Sequence, residues 1–244
     1  MKTSFHTPAE LKDWLIEREL HYGGMHKEVA RKKVSPLDPR STEVIAQGGM
    51  TGGDRMQVHG YAGHYARFLM PFVQRRKSKP VLVEAGILRG TGLAIWADLF
   101  PGSRIIGLDI DLSHTRENLP FLTSRRAFSQ SEPELYEFDQ FVDERAKMRD
   151  ILGADRIAIY IDDGFHSDDS ILQSFASIQP FLARRFAAFI EDNADVWWRL
   201  QERYPQYDVR HYGMLTVMTP APWWRQVKRS AGKVYRRFRR GKID

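Results

Sequence analysis

Two acidic segments, each placed directly after a short apolar run, are the feature that most constrains how this chain folds. An Asp-Asp-Gly-Phe-His segment at 162–166 follows the apolar run 157–161, and a Glu-Asp-Asn segment at 191–193 follows the run 186–190. Apolar runs of this length are typical of strands that are buried on both faces of a parallel sheet. Because ligands bind outside the carboxyl ends of such strands, we expect both segments to open onto one crevice. The sequence therefore predicts an open, doubly wound α/β sheet.

The two segments would bring three or four carboxylates and one imidazole into that crevice. The candidate side chains are Asp162, Asp163, His166, Glu191 and Asp192. Crowded carboxylates repel each other unless a shared proton or a cation neutralises them, and clusters rich in oxygen suit Mg²⁺, Mn²⁺ or Ca²⁺. Capping of the following helix is an alternative role, for Asp162 in particular.

A third strand end precedes these two along the chain. The run 81–85 includes Glu84 and leads into a glycine-rich turn, after which a helix is predicted to begin at about Thr91. The turn has neither the G-x-G-x-x-G spacing of a dinucleotide site nor the Gly-Lys-Ser/Thr of a phosphate loop, which argues against nicotinamide and ATP sites. The next strand ends at Asp109, where folds of this kind bind the hydroxyls of a ribose.

In this order, the segments resemble those of the class I S-adenosylmethionine-dependent methyltransferases. More narrowly, they are similar to the metal-dependent sugar O-methyltransferases related to the macrocin and mycinamicin enzymes, and to their relatives in bacterial glycan gene clusters. The resemblance covers most of residues 49–218. It is carried by Glu84-x-Gly86, Leu108-Asp109-Ile110, Ser129-Gln130-Ser131, the run 162–166, Ile190-Glu191-Asp192, and a segment at 52–61 with Tyr65 that is similar to the family's Gly-Thr-Asp-Lys…His-x-Tyr…Tyr. The chain departs from that pattern at Asn193 and at Gly53 and Arg55, where the family prefers threonine and lysine.

The resemblance implies a fold and a set of roles. The fold is a Rossmann-like sheet of seven strands in a single domain at 49–220, with an N-terminal helix and lid segment at 1–48 and a basic amphipathic tail at 221–244. The implied contacts to S-adenosylmethionine are Glu84, Gly86, Gly90, Asp109, Asp162, Gln130 near the adenine, and His59 and Tyr61 near the methionine end. The implied ligands of Mg²⁺ or Mn²⁺ are Asp163, Glu191 and Asp192, and the implied catalytic residues are Asp163 and the general base His166.

Methyl transfer explains why such a site would combine a base with a cation. The sulfonium donor already carries a good leaving group, so the protein must align an acceptor oxygen with the methyl group and make that oxygen nucleophilic. A histidine with its usual pKa of about 6.5 is a poor match for a sugar hydroxyl, whereas a divalent cation lowers the pKa of an oxygen that it binds. A surface or packing role is the alternative for His166, but its setting after a strand favours the base.

The composition excludes several other classes of protein. The chain has 244 residues and no cysteine, which rules out disulfides, thiolate metal sites and a cysteine nucleophile. Its first residues do not resemble a signal peptide, and no apolar run approaches the roughly 20 residues that span a bilayer. We therefore expect a cytoplasmic protein.

The remaining elements are predicted from apolar spacing and helix caps. Thr7 and Glu10 form a capping box at the start of an amphipathic helix. Residues 32–55 are expected to form a loop that serves as a lid. Helices are predicted at 132–152, 167–182 and 197–204, and a hairpin at 207–210 and 214–218. Trp197 and Trp198 are expected either to line an acceptor pocket or to pack in the core.

The last twenty residues account for the basicity of the chain. Residues 225–244 contain nine Lys/Arg and one acid, a formal charge of +8, so the whole-chain charge of +6 leaves −2 for residues 1–224. The apolar residues of the tail fall at helical spacing: Trp224, Val227, Ala231, Val234, Tyr235 and Phe238. This pattern favours a helix at 223–240 that lies on an anionic membrane surface. A solvated tail and an RNA-binding arm are the alternatives.

These observations predict a methyltransferase that depends on S-adenosylmethionine and a divalent metal and acts on a sugar hydroxyl. The membrane pattern of the tail favours a lipid-linked or cell-surface glycan of the lipopolysaccharide or capsule type, with the protein peripheral at the inner face of a bacterial membrane. The alternatives are a macrolide sugar methyltransferase, an RNA methyltransferase that uses the tail, and a membrane-recruited scaffold without activity. No specific nucleic acid is expected as a partner, and a homo-oligomer is compatible with the sequence.

Overall fold

A computed structural model describes residues 4–23, 41, 43, 53–75 and 79–222. Most of the predicted lid at 32–55 and the basic segment from residue 223 onward lie outside these ranges. The lid and the membrane-binding tail therefore stay predictions. Among the described residues, no helix combines the length and the apolar character that a bilayer span requires.

One seven-stranded sheet organises the described residues. Its strands are β1 (Val81–Ala85), β2 (Ile105–Asp109), β3 (Glu134–Glu137), β4 (Ile157–Asp162), β5 (Leu182–Ile190), β6 (Tyr207–Tyr212) and β7 (Leu215–Pro220). They lie in the order β3-β2-β1-β4-β5-β7-β6. Strands β1 to β5 are parallel, and β7 pairs antiparallel with both β5 and β6. The predicted doubly wound α/β sheet is confirmed.

Helices cover both faces of the sheet. They are α1 (Pro8–His21), α2 (Ala62–Val73), α3 (Thr91–Leu99), α4 (Ser113–Ser124), α5 (Arg145–Leu152), α6 (Asp168–Ile178) and α7 (Val196–Arg203). Successive strand residues point to opposite faces, so Leu82 belongs to a core with α1, α2 and α3, while Val83 belongs to a core with α5, α6 and α7. Burial on both faces explains why the central strands are continuous apolar runs.

Most element predictions are confirmed within a few residues. Helix α1 begins as expected, with the Thr7 side chain accepting the Glu10 N–H at 3.2 Å. Helix α6 ends earlier than predicted because a 3-10 turn that contains Pro180 follows it at Gln179–Phe181. The hairpin strands β6 and β7 turn at Gly213, which has a positive φ of 66°.

The predicted helix at 132–152 is wrong. Its first part forms the edge strand β3, and only Arg145–Leu152 is helical. The sequence of β3, Glu-Leu-Tyr-Glu, contains good helix formers and no apolar run, because the strand is only half-buried at the edge of the sheet. Its pairing with β2 is a long-range interaction that local spacing does not reveal.

Gly86, directly after β1, allows the chain to pass closely over the end of β4. Its φ is +81°, and a Cβ at this position would overlap the backbone carbonyl of Asp163. The neighbouring backbones are joined on both sides, since the Asp163 N–H donates to Ala85 O and the Gly86 N–H donates to Leu108 O, each at 2.8 Å. This position requires a positive φ and leaves no space for a Cβ, and only glycine satisfies both conditions.

We expect Gly86→Ala to lower the free energy of unfolding by about 2 kcal/mol or more, since the positive φ and the overlap each carry a cost. Gly63→Ala is a matched control, because Gly63 lies in α2 with no atom within 4 Å of an added Cβ. That control should be neutral or stabilising by up to about 1 kcal/mol. Urea unfolding of both variants measures the difference, and equal effects would contradict the assignment.

Candidate functional site

Three carboxylates at the ends of β1, β4 and β5 converge on the guanidinium of Arg55. Nη2 of Arg55 lies 2.6 Å from Oε1 of Glu84 and 2.7 Å from Oδ2 of Asp163, while Nε lies 2.8 Å from Oε1 of Glu191. Arg55, Glu84 and Glu191 are buried. Buried carboxylates require such compensation, because an unpaired charge inside a protein is strongly disfavoured.

Aromatic side chains enclose this ion cluster. The guanidinium carbon of Arg55 lies 5.6 Å from the centre of the Trp96 ring and 5.9 Å from that of Tyr65. The Trp96 indole N–H donates to Oε2 of Glu84 at 2.9 Å, and the Tyr65 hydroxyl donates to Oε1 of Glu191. Arg55, Glu84 and Glu191 therefore have charged or hydrogen-bonding partners on more than one side.

The pKa shifts follow from burial and from these ion pairs. Burial raises the pKa of Glu84 and of Glu191, and the positive charge of Arg55 opposes both shifts. Burial alone would lower the pKa of Arg55, but the carboxylates of Glu191 and Glu84 raise it well above its usual value. Arg55 is therefore a permanent cation at the centre of the crevice.

A second group of side chains lies beside the first. Ligand atoms of Asp163, His166 and Asp192 all lie within 4.8 Å of one another, and Nε2 of His166 is 3.9 Å from Oδ1 of Asp163. His166 and Asp192 have positive φ values of 64° and 54°, which are uncommon for residues other than glycine and which set the direction of both side chains. Two carboxylates and an imidazole are a donor set that fits a divalent cation such as Mg²⁺ or Mn²⁺.

Tyr61 and His59, which the resemblance places near the methionine end of the donor, adjoin this second group. The Tyr61 hydroxyl donates to Oδ1 of Asp192 at 2.7 Å, and Nδ1 of His59 lies 3.5 Å from the same oxygen. The two rings stack with centroids 5.5 Å apart. Their contact with a donor stays a prediction.

Asp109 holds the glycine-rich turn after β1. Its Oδ2 accepts the N–H groups of Ile87 and Leu88 at 2.9 and 3.0 Å. Burial raises the pKa of Asp109, and these backbone donors lower it. Gly90 ends the turn with a φ of 74° and caps α3. The structure therefore shows how the turn is held, while the contact of Asp109 with a ribose stays a prediction.

The capping role considered for Asp162 is wrong. Ser167 caps α6 instead, with its side chain accepting the Ser170 N–H at 3.1 Å. Asp162 is buried, and it accepts hydrogen bonds from the Tyr160 hydroxyl at 2.9 Å and from Nε2 of Gln140 at 2.7 Å. Burial raises the pKa of Asp162, and these donors oppose the shift.

The structure does not bring Gln130 to the crevice. This exposed residue precedes β3, and β3 is parallel to β2, so Gln130 lies toward the opposite edge of the sheet. Gln140, which follows β3, does lie at the crevice, where its Oε1 accepts the Phe165 N–H at 2.9 Å and its Nε2 donates to Asp162. The sequence assigns no role to Gln140, which falls within the helix predicted at 132–152, because the resemblance of Ser129-Gln130-Ser131 points to Gln130 instead.

The side chains around Glu191 differ from those expected around a metal ligand. Its oxygens contact Arg55 and Tyr65, whereas the neighbouring Asp192 contacts Tyr61 and lies in the group with His166. Glu191 as a ligand therefore stays a prediction.

Comparison with known proteins identifies the architecture. No protein-family model matches the chain, and no curated protein matches its sequence. Among solved structures, the chain is similar to the MycE methyltransferase from the mycinamycin biosynthetic pathway in complex with Mg, SAH and mycinamycin VI. The two chains are 20% identical, and their structures align with a TM-score of 0.52 over 68% of this chain and 50% of that chain. A MycE complex with Mg and SAH, crystal form 1, gives 18% identity and a TM-score of 0.51 over 68% of this chain and 50% of that one. The chain thus spans about half the length of these proteins.

The fold is that of a class I methyltransferase. In this methyltransferase fold, the segment 53–60 carries Arg55 across the strand ends, and α1 anchors it. Glu19 of α1 is buried and accepts the N–H groups of Met56 and Gln57 at 2.9 and 3.1 Å. Burial raises the pKa of Glu19 to about 7, although both backbone donors lower it.

This shift predicts how the stability of the methyltransferase fold depends on pH. The pKa of the Glu19 carboxyl rises from its ordinary value of 4.5 to about 7 on folding, so between these pH values the unfolded chain binds fewer protons than the folded chain. Stability contributed by Glu19 is therefore present below about pH 4.5, falls as the pH rises toward 7, and is constant above. Relative to Glu19→Gln, the wild type should lose about 2–3 kcal/mol of unfolding free energy between pH 5 and pH 8.

Urea unfolding at several pH values measures this difference. Glu17→Gln, an exposed change on the same helix, serves as a control for the altered net charge. Parallel pH profiles of the wild type and Glu19→Gln would contradict the prediction.

Proposed function

We propose that this protein is an S-adenosylmethionine-dependent O-methyltransferase whose acceptor is a sugar hydroxyl. One observation carries the proposal: on a methyltransferase sheet, the glycine-rich turn held by Asp109 opens onto the same edge as the Asp163, His166 and Asp192 group. The MycE structures, which contain Mg and SAH on this fold, support both the donor and the cation.

The donor is proposed to bind along the ends of β1 and β2. Gly86 and Gly90 give the turn its close backbone approach, and Asp109 lies where a ribose would be bound. The crevice contains more carboxylates than cationic side chains, which favours a ligand with a sulfonium charge. Tyr61 and His59 would lie near that charge, because they contact Asp192.

His166 is proposed as the base that takes the proton from the acceptor hydroxyl. Asp163 lies 3.9 Å away and stabilises the imidazolium that forms. Asp163 and Asp192 would hold a divalent cation, which would supply Lewis acidity and so lower the pKa of an acceptor hydroxyl. His166 has a left-handed backbone conformation, and its imidazole lies within 4.8 Å of the Asp163 and Asp192 oxygens, where it would accept the proton.

Several exposed apolar side chains lie at the same edge of the sheet as this polar centre. Among the described residues, six large apolar side chains are exposed, and five of them lie at the carboxyl edge of the sheet: Val58, Phe141, Val142, Trp198 and Met214. Val58 adjoins His59, and the ring of Phe141 packs edge-on against Phe165 at 5.0 Å. The backbone carbonyl of Met214 accepts the Asn193 N–H at 3.1 Å. This apolar rim supports an acceptor whose sugar is attached to an apolar group.

A lipid-linked or growing cell-surface glycan meets the requirement for a sugar that is attached to an apolar group. The basic tail at 225–244 adds support, because it would hold the protein on an anionic membrane beside such an acceptor. A macrolide sugar also meets the requirement and is the second candidate, since one MycE structure contains mycinamycin VI. Only the basic tail supports an RNA acceptor. The crevice does not support one, because its many carboxylates would repel the phosphates of RNA.

Calorimetry tests the donor. SAH should bind in preference to NAD, and Asp109→Asn should weaken SAH binding by about 1–3 kcal/mol, the range for a disturbed buried hydrogen-bond acceptor. His166→Ala should keep SAH affinity and lower the turnover of methyl transfer, because the imidazole acts only on the acceptor. Equal affinity for NAD would contradict the donor assignment.

Acceptor kinetics test the apolar rim. Phe141→Ser and Met214→Ser should each lower kcat/KM for a lipid-linked sugar by roughly tenfold, since an apolar contact of this size contributes about 1.5–3 kcal/mol. The same sugar without its lipid should be affected much less. Leu20→Ser is the control, because Leu20 is the sixth exposed apolar residue and lies on α1. Equal losses for both acceptors, or a similar loss in the control, would contradict the role of the rim.

A further inference from the structure

Arg55 contacts Glu191, which the sequence resemblance implies as a metal ligand. We infer that Arg55 is the built-in counter-cation of Glu191, so that the divalent cation of this site is held by Asp163 and Asp192 on the side of His166 and not by Glu191. This inference rests on the proposed function, because it concerns the metal of that reaction. It departs from the ligand set that the resemblance implies.

Both oxygens of Glu191 are already engaged. Nε of Arg55 lies 2.8 Å from Oε1 and 3.0 Å from Oε2, and Oε1 also accepts the Tyr65 hydroxyl. A dication bound to either oxygen would lie within a few ångströms of a guanidinium that has no neutral form. In a buried site, where screening is weak, that repulsion is large.

Glu191 and Asp192, the two residues that follow β5, contact different side chains. The side chain of Glu191 is 2% exposed and faces the ion cluster, whereas that of Asp192 is 25% exposed and contacts Tyr61. Asp192 has a positive φ of 54°, so the chain leaves the extended strand geometry at this residue. The two adjacent carboxylates therefore belong to two charge groups.

Asp163 joins the two groups by dividing its oxygens between them. Oδ2 lies 2.7 Å from Nη2 of Arg55, and Oδ1 lies 3.9 Å from Nε2 of His166. Arg55 thus acts as a positioning residue: by binding one oxygen, it orients the other toward His166 and Asp192.

The chemistry of arginine explains why the chain has Arg55 where the family pattern has lysine. The guanidinium contacts three carboxylates, with Nε toward Glu191 and Nη2 toward Glu84 and Asp163. A lysine ammonium is a single point charge on a flexible stem and lacks the planar fork. It would not hold all three carboxylates in this arrangement.

Binding of Mn²⁺ to the full chain, measured by electron paramagnetic resonance, tests the inference with two neighbouring variants. Asp192→Asn should weaken Mn²⁺ binding roughly tenfold or more, whereas Glu191→Gln should leave it within about threefold of the wild type. In thermal unfolding without metal, Glu191→Gln should have the larger effect on the midpoint and Asp192→Asn the smaller one. Glu191→Gln removes a charge from a buried network and should lower the midpoint by roughly 5 °C or more, while Asp192→Asn should leave it nearly unchanged.

Arg55→Gln supplies a second test of the same point. Once the guanidinium is removed, Glu191 becomes available, so a further Glu191→Gln change should weaken Mn²⁺ binding in this background although it does not in the wild type. Equal losses of Mn²⁺ affinity in Glu191→Gln and Asp192→Asn of the otherwise wild-type chain would overturn the inference, whether or not the Arg55 variants fold.

Calorimetric titration with SAH, run on the same preparations, separates this inference from the proposed function. A wild-type chain that binds SAH but no Mn²⁺ would overturn the cation site and leave the donor assignment in place. A chain that binds neither would contradict the proposed function itself.

Discussion

The neutralisation of buried carboxylates by Arg55 is the interaction on which the rest of this crevice depends. The central strands β1 and β4 are mainly apolar except for Glu84 and Asp162 near their carboxyl ends, and Glu191 follows the apolar end of β5. Such residues are compatible with a buried position only if charges and hydrogen-bond donors meet them. The segment 53–60 supplies the charge, and Glu19 of α1 fixes that segment by accepting two of its N–H groups.

The general architecture was accessible from the sequence, because the central strands are buried on both faces and so appear as apolar runs. The acids at their ends could be placed in one crevice by topology alone. The edge strand β3 was not accessible, since its residues resemble a helix and its pairing with β2 is long-range. The resemblance of Ser129-Gln130-Ser131 places the expected glutamine contact at Gln130, whereas the glutamine that follows β3 and contacts Asp162 is Gln140.

The sequence predicts which residues belong to the site, but it does not predict which of their side chains contact one another. Sequence analysis identified Asp163, Glu191 and Asp192 as one group, and noted Arg55 only as a departure from a family pattern. The structure divides these carboxylates between a guanidinium and an imidazole. Side-chain direction at a strand end depends on backbone angles such as the positive φ of Asp192, which residue type alone does not indicate.

The Arg55 network also has a consequence for the order in which the molecule assembles. Arg55 and Glu191 are 136 positions apart in the sequence, and Arg55 and Asp163 are 108 apart. Contacts of such separation close large loops, which costs conformational entropy, so we expect them to form after β1, β4 and β5 have been aligned by their apolar faces. The crevice would then be completed late in folding, and interactions that form after the transition state mainly slow unfolding. The charges that define the chemistry of the crevice would in that case also prolong the lifetime of the native state.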